Sequence, residues 1–154
     1  KKLNRVRHKG VQGKNSIRQM YSESKIGEFL TKSKKKYDKV IVCGPDFSFH
    51  QSIDKKYLED NLNKHGIIYT SNFRDCGGYT NGFYIGTPKA LIPVLNRYHT
   101  YSKHLKKKLN YERILRIDFK YNKKKRMVIN MSFDKIRSTG AKKIVKSQSK
   151  TTID

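Results

Sequence analysis

The sequence predicts an α/β layered domain with strongly basic ends, and three observations carry that prediction. Apolar runs of strand length alternate with amphipathic segments of helix length, which is the order found in layered α/β domains. Ten Tyr and seven Phe make 11% of the 154 residues aromatic, more than is typical of a chain without a core. Lys and Arg total 36 against 12 Asp and Glu, a formal charge of +24.

The predicted elements follow one another with short connections. In chain order they are helix 15–36, strand 39–44, helix 54–64, strand 66–70, strand 83–85, a helix from Thr87 through Tyr98, helix 111–121 and strand 126–133. Residues 72–82 are rich in Gly and Asn and predict a loop. The domain is therefore expected to span 15–140, between a flexible basic arm over 1–14 and a basic polar tail over 141–154.

The predicted helices begin at residues whose side chains cap a helix. Asn15 or Ser16 is expected to cap the first helix, and Asp54 the second. Thr87 followed by Pro is a strong start signal for the third, and Asn110 precedes the fourth. Pro93 lies inside the third helix and is expected to kink it, because proline removes one backbone donor.

The two best-marked strands differ in pattern. The predicted strand 39–44 contains the unbroken apolar run 40–43, which predicts a central strand buried on both faces, with Ile41 or Val42 in the core and Cys43 as a buried thiol. Residues 126–133 instead alternate, which predicts one dry face.

Cysteine content and hydropathy favour a protein that is neither secreted nor membrane-spanning. Cys43 and Cys76 make no disulfide framework or zinc motif. No run approaches the length of a membrane span, and no secretory leader precedes the domain. The location expected on these grounds is the interior of a cell.

Several short motifs occur in a characteristic order. They are Asn15–Ser22 (NSIRQMYS), Tyr37–Asp46 (YDKVIVCGPD), Ile68–Thr70 (IYT), Gly77–Gly86 (GGYTNGFYIG), Glu112 on a helix, and Phe133–Gly140 (FDKIRSTG). This order resembles the C-terminal part of a glycosyltransferase-like family of the GT-A type, found in large DNA viruses and in polysaccharide-synthesis clusters. The resemblance covers residues 15–140 and implies a truncated GT-A-like, Rossmann-like fold.

For an active enzyme, the resemblance and the residue types together imply a site. Its members would be Asp46 and Asp75 as ligands of Mg²⁺ or Mn²⁺, Glu112 as the catalytic base, and Asn81, Phe83, Gly86 and Arg137 as contacts to a nucleotide sugar. Each also has a plain structural interpretation: Asp46 follows Pro45 in a turn, and Glu112 is a first-turn helix acid.

Three departures from the family pattern favour a protein that does not catalyse and needs no cofactor. Gly44 stands where the family has an arginine before Pro-Asp. Asn81-Gly82-Phe83 lacks the acid and the arginine of the family loop. The chain also begins after the N-terminal portion that holds much of the sugar nucleotide in the family. An active glycosyltransferase, completed by another chain, is the alternative.

The basic excess predicts a polyanionic partner, either a nucleic-acid phosphate backbone or an acidic capsid protein. The residues expected to contact it are Lys1, Lys2, Arg5, Arg7, Lys9, Lys34, Lys35, Lys36, Lys106, Lys107, Lys108, Lys123, Lys124, Lys125 and Arg126. With the resemblance, this charge predicts a minor capsid or core protein of a large DNA virus, located in the virion or in the cytoplasm of the infected cell. A ribosome-associated protein is a weaker alternative. The simplest alternative is that the lysines only solvate the surface and that their number reflects an AT-rich coding bias.

Overall fold

The computed structural model describes residues 11–53, 55–62, 66–73, 75–104, 110–136, 139 and 142–143. Its elements are α1 (Val11–Lys32), β1 (Val40–Cys43), β2 (Phe47–Phe49), α2 (Lys55–Asn61), β3 (Ile67–Ser71), β4 (Phe83–Gly86), α3 (Pro88–Leu95), α4 (Arg97–His104), α5 (Tyr111–Tyr121), β5 (Lys125–Ile129), β6 (Phe133–Ile136) and β7 (Lys142–Lys143).

Four strands form a mixed sheet in the order β1-β4-β3-β5, which confirms the α/β class. β3 and β5 are parallel, and β4 is antiparallel to both of its neighbours, so β1, β3 and β5 all run in one direction. The register places Val40, Gly86, Ile68 and Arg126 in one row across the sheet. A second, antiparallel sheet has the order β2-β6-β7.

Helices α3 and α5 cover one face of the larger sheet, and the second sheet together with α2 covers the other. The helical side is an apolar cluster formed by α3, α5 and the sheet, with these buried members: Val42, Ile68, Tyr79, Tyr84, Ala90, Leu91, Val94, Leu95, Leu115 and Phe119. The opposite cluster consists of Leu62, Tyr69, Phe73, Phe83, Ile85, Ile129, Met131 and Phe133. Removing these side chains from water is the main stabilising term of such a layered fold.

The prediction that β1 is a central strand buried on both faces is wrong. Among the described strands β1 pairs with β4 alone, so it is an edge strand. Val42 faces the helices and is 8% exposed, whereas Ile41 on the other face is 46% exposed. Cys43 is exposed as well, which corrects the expectation of a buried thiol. An apolar run of four residues does not distinguish an edge strand from a central one.

The predicted helix starts are confirmed at two positions. The Thr87 hydroxyl accepts a hydrogen bond from the Ala90 amide at 3.3 Å. The Asn110 side chain accepts one from the Arg113 amide at 3.2 Å. The cap prediction at Asp54 lies outside the described residues.

Two helices differ from the predictions, one in where it begins and the other in being divided. α1 begins at Val11, so Asn15 and Ser16 lie inside the helix, and the last four residues of the predicted arm are helical. The predicted helix beginning at Thr87 does not merely kink at Pro93 but divides at Asn96 into α3 and α4.

The predicted strand 126–133 is divided between the two sheets. β5 ends at Ile129, and the Met131 amide bonds back to the Ile129 carbonyl at 3.0 Å, so the chain turns before β6. The predicted buried face of this segment is confirmed at Ile129, Met131 and Phe133, which are at most 6% exposed. It is not confirmed at Met127, which is 38% exposed. β2 and the short β7, which lies in the predicted tail, were not predicted.

Candidate functional site

The carboxyl ends of β1, β3 and β5 meet at one edge of the larger sheet, here called the carboxyl edge (residues 44–46, 72–73, 75–82 and 130–132). Open α/β sheets bind ligands at such an edge, because loops of different strands converge there. Asp46, Asp75 and Asn81 all belong to it. The structure therefore brings three of the predicted catalytic-site residues to the same edge.

The two predicted metal ligands are each engaged with a different cation. An Asp46 oxygen lies 2.9 Å from the Lys135 ammonium. Both Asp75 oxygens contact the Arg126 guanidinium, at 2.7 and 2.8 Å, and Asp75 also accepts from the Thr80 amide at 2.9 Å. Burial raises the pKa of Asp75, although Arg126 opposes that shift. No group of three His, Cys, Asp or Glu side chains that suits a metal ion occurs in the described part of the chain.

The predicted sugar-nucleotide contacts are not gathered at the carboxyl edge. Phe83 is 4% exposed and packs edge-on against Phe49, so its ring is part of the core. Gly86 is buried at the opposite end of β4, where an added Cβ would lie 3.1 Å from the Leu91 Cγ. Asn81 donates to Gln19 at 3.2 Å. Arg137 lies outside the described residues.

The Gly-rich loop serves packing against the start of α5. The Gly78 amide bonds to the Asp75 carbonyl at 2.7 Å across a turn in which Cys76 and Gly77 have φ values of 47° and 77°. Positive φ at both central residues defines a type I′ turn. The Tyr79 amide then donates to the Glu112 carbonyl at 3.0 Å, so Glu112, the predicted base, fixes this loop through its backbone.

Arg126 is an internal residue, which corrects its prediction as a polyanion contact. Its side chain is 11% exposed. It donates to the Thr70 hydroxyl at 2.6 Å and the Ser71 carbonyl at 3.0 Å, and its guanidinium lies over the Tyr79 ring at 4.4 Å. Parallel pairing of β5 with β3 aims this arginine at the carboxyl edge, so its charge offsets Asp75.

One histidine lies between a serine and a carboxylate, a grouping that the sequence analysis did not predict. The His50 imidazole is 3.1 Å from the Ser132 hydroxyl and 3.1 Å from Asp134. The Ser132 hydroxyl also donates to the Gln51 side chain at 3.3 Å, and the Ser132 amide does so at 2.9 Å. These contacts link the segment that follows β2 to the start of β6.

A buried ionic network, also missed from the sequence, connects α1, β4, α4 and α5. The Arg97 guanidinium is fully buried and pairs with Glu23, which also accepts from Tyr84 at 2.6 Å and Tyr111 at 2.7 Å. Burial raises the pKa of nearby Asp118 to about 7, and Arg97 partly opposes that shift. The available signal was Glu23, three residues after Met20 on the apolar stripe of α1.

The opposite edge of the larger sheet, where β1, β3 and β5 begin, gathers lysines. It is here called the amino edge and consists of three segments: 32–39, between α1 and β1; 86–89, at the start of α3; and 120–125, between α5 and β5. These segments contain ten lysines and one acid, Asp38. The lysines are Lys32, Lys34, Lys35, Lys36, Lys39, Lys89, Lys120, Lys123, Lys124 and Lys125.

Two separate sequence clusters thus become one charged surface. Residues 34–36 precede β1 and residues 123–125 lead into β5, and these two strands are three interstrand spacings apart, or about 14 Å. Eight of the ten lysines are exposed, and none takes part in an ion pair within the described region. The other predicted polyanion contacts, Lys1 to Lys9 and Lys106 to Lys108, lie outside that region.

Lys123 occupies a backbone position that normally favours glycine. The Lys124 amide bonds to the Phe119 carbonyl at 2.8 Å and the Lys123 amide to the Lys120 carbonyl at 3.1 Å, the pattern of a Schellman motif ending α5. Lys123 is its C′ residue and has a φ of 53°. A left-handed conformation costs a residue with a Cβ about 1–2 kcal/mol.

Replacing Lys123 with glycine is therefore expected to stabilise the protein while weakening polyanion binding. Relief of the left-handed strain exceeds the added entropy of the unfolded chain, so the free energy of unfolding should rise by roughly 0.5–1 kcal/mol. Urea denaturation measures that rise, and a nucleic-acid titration measures the loss of one charge. A variant that binds as tightly as the parent would contradict a role for Lys123 at the amino edge.

Comparisons with family models, curated proteins and solved structures find no match to this chain. The GT-A-like resemblance consequently stays a prediction, and the arguments below rest on the chain itself. None of the helices in the described ranges is long and apolar enough to cross a membrane.

Proposed function

We propose that this protein binds a nucleic-acid phosphate backbone through its amino edge and does not catalyse sugar transfer. The observation that supports the proposal is that three described segments at this edge, 32–39, 86–89 and 120–125, together contain ten lysines and a single acid. The clusters are more than 80 residues apart along the chain, and only the fold brings them together. Lysines that only solvate the surface would not need to lie together at one edge of the sheet.

The chemistry of the amino edge fits phosphate better than it fits base edges. Lysine is a compact charge on a flexible stem, so it neutralises phosphates without fixing a base sequence. Each phosphate contact releases condensed counterions, which gives affinity that falls with salt. We therefore expect binding that depends little on base sequence. The resemblance to a family of large DNA viruses makes a minor capsid or core protein the corresponding biological role.

The proposal that the protein does not catalyse sugar transfer is supported by the acids at the carboxyl edge. Its two acids are neutralised by Lys135 and Arg126. Sugar transfer from a nucleotide sugar with Mg²⁺ or Mn²⁺, abolished by Asp46→Asn, would contradict this half of the proposal and make Asp46 a metal ligand.

The test of the binding half compares two variants that lose the same charge. One replaces Lys35, Lys36, Lys124 and Lys125 with glutamine, and the control replaces Lys14, Arg18, Lys55 and Lys56, which are exposed on α1 and α2. At one fixed salt concentration, the amino-edge variant should bind a mixed-sequence oligonucleotide at least about tenfold more weakly than the control variant.

Equal losses in both variants would show that overall charge, and not the amino edge, governs binding. Polyglutamate that competes as effectively as nucleic acid at equal charge would identify an acidic protein as the partner instead. Both variants should keep the unfolding midpoint of the parent, because none of the eight side chains is buried.

A further inference from the structure

We propose that the amino edge takes single-stranded nucleic acid, with phosphates on its lysines and bases stacked on Tyr37 and Tyr121. This inference rests on the proposed function and specifies its ligand. Each end of the amino edge carries one of these tyrosines. Tyr37 directly follows the 34–36 cluster, and Tyr121 follows Lys120 at the end of α5.

Both rings present surface to solvent beside the lysines. Tyr37 is 37% exposed and Tyr121 is 56% exposed. Proteins that bind single strands without sequence preference combine a basic surface that follows the backbone with aromatic side chains on which bases stack. The amino edge has both components at each of its ends. The carboxylates of an acidic protein partner would pair with the lysines but would not stack on the rings.

The two rings favour a single strand over a duplex. The amino edge is formed by strand ends, the turn after α5 and the first turn of α3. A duplex would present its phosphates to the lysines there, but its bases are paired and stacked inside the double helix, where the rings do not reach their faces. A single strand, by contrast, already exposes its bases. The separation of about 14 Å between the two ends corresponds to roughly four nucleotides at the 3.4 Å spacing of a stacked strand.

The absence of tryptophan from the sequence permits a direct test of stacking. Tyr37→Trp and Tyr121→Trp each place a single fluorescent indole at the amino edge. Tyr57→Trp is the matched control, because Tyr57 is 40% exposed on α2 and belongs to none of the three segments of the amino edge. The probe is a mixed-sequence single strand of about 20 nucleotides, a length within the site sizes of known single-strand binders, together with its duplex.

We expect the single strand to quench the indole at 37 and at 121, and to leave the indole at 57 unchanged. The duplex should quench none of the three. The double variant Tyr37→Leu, Tyr121→Leu should bind the single strand at least about thirtyfold more weakly, whereas the double phenylalanine variant should keep the parent affinity because it keeps both rings.

The contradicting outcomes separate this inference from the proposed function. Lysine-dependent binding with no quenching at 37 or 121, or equal affinity for the duplex, would overturn base stacking and leave phosphate binding in place. Binding that is indifferent to the amino-edge lysines would overturn the proposed function, and this inference with it. Tighter binding to polyglutamate than to either nucleic acid would overturn both.

Discussion

Replacing Arg97 with methionine is expected to lower the free energy of unfolding by about 3–5 kcal/mol. The substitution leaves the Glu23 carboxylate buried without its counter-ion, because Glu23 is 5% exposed and Arg97 fully buried. Tyr84 and Tyr111 continue to donate to Glu23, at 2.6 and 2.7 Å, but they carry no charge to balance it. An ion pair in the interior is costly to break from one side, since the remaining charge is not solvated.

Urea denaturation measures this loss, with Arg18→Met as the control because Arg18 is exposed on α1. The double variant Arg97→Met, Glu23→Gln removes both charges and should recover part of the lost stability. A loss below about 1 kcal/mol in the single variant would contradict a charged network in the core.

Replacing Gly78 with alanine is expected to cost about 3 kcal/mol or more. An added Cβ would lie 2.1 Å from both the carbonyl carbon and the carbonyl oxygen of Glu112. These are backbone atoms of the first turn of α5, so no side-chain rotation relieves the overlap. The loop must move away from the helix, which removes the hydrogen bond from Tyr79 to Glu112 and disturbs the contact of Arg126 with the Tyr79 ring.

Gly66→Ala is the matched control for this clash. Gly66 has a φ of 77° but no atom within 4 Å of an added Cβ, so alanine there adds backbone strain without an overlap. Its expected cost is about 1–2 kcal/mol. Thermal unfolding of the two variants compares them, and a Gly78→Ala variant no less stable than Gly66→Ala would contradict the close packing of the loop on α5.

The elements with strong local signals could be predicted from sequence. Asn110 and Thr87 start helices because their side chains accept backbone hydrogen bonds from residues three positions on, a local interaction. The alternation of Ile129, Met131 and Phe133 likewise gave the buried face of that segment. Such signals do not depend on which element lies next to which.

The features decided by strand order could not be predicted. Ile41 is exposed because β1 is at the edge of its sheet, and an apolar run contains no information about its neighbours. The internal role of Arg126 depends on parallel pairing of β5 with β3, which places Thr70 and Ser71 beside it. A lysine-rich stretch alone gave no reason to separate Arg126 from Lys125.

The candidate site divides in the same way. Lysines 34–36 and 123–125 could be identified as charged clusters, but their convergence on one edge depends on β1, β3 and β5 sharing a direction. Asp46 was predicted at the end of a strand and Asp75 in the loop 72–82, yet their cations come from β6 and β5, which no local pattern indicated. Glu23 and Arg97 meet across 74 residues of sequence and are visible only in the fold.

The salt dependence of single-strand binding tests the central claim most directly. The slope of log K against log salt concentration is about −0.7 per phosphate contact on a single strand, so loss of Lys35, Lys36, Lys124 and Lys125 should make the slope shallower by about 3. The control that replaces Lys14, Arg18, Lys55 and Lys56 should keep the slope of the parent. Equal slopes for the two variants would contradict phosphate binding at the amino edge.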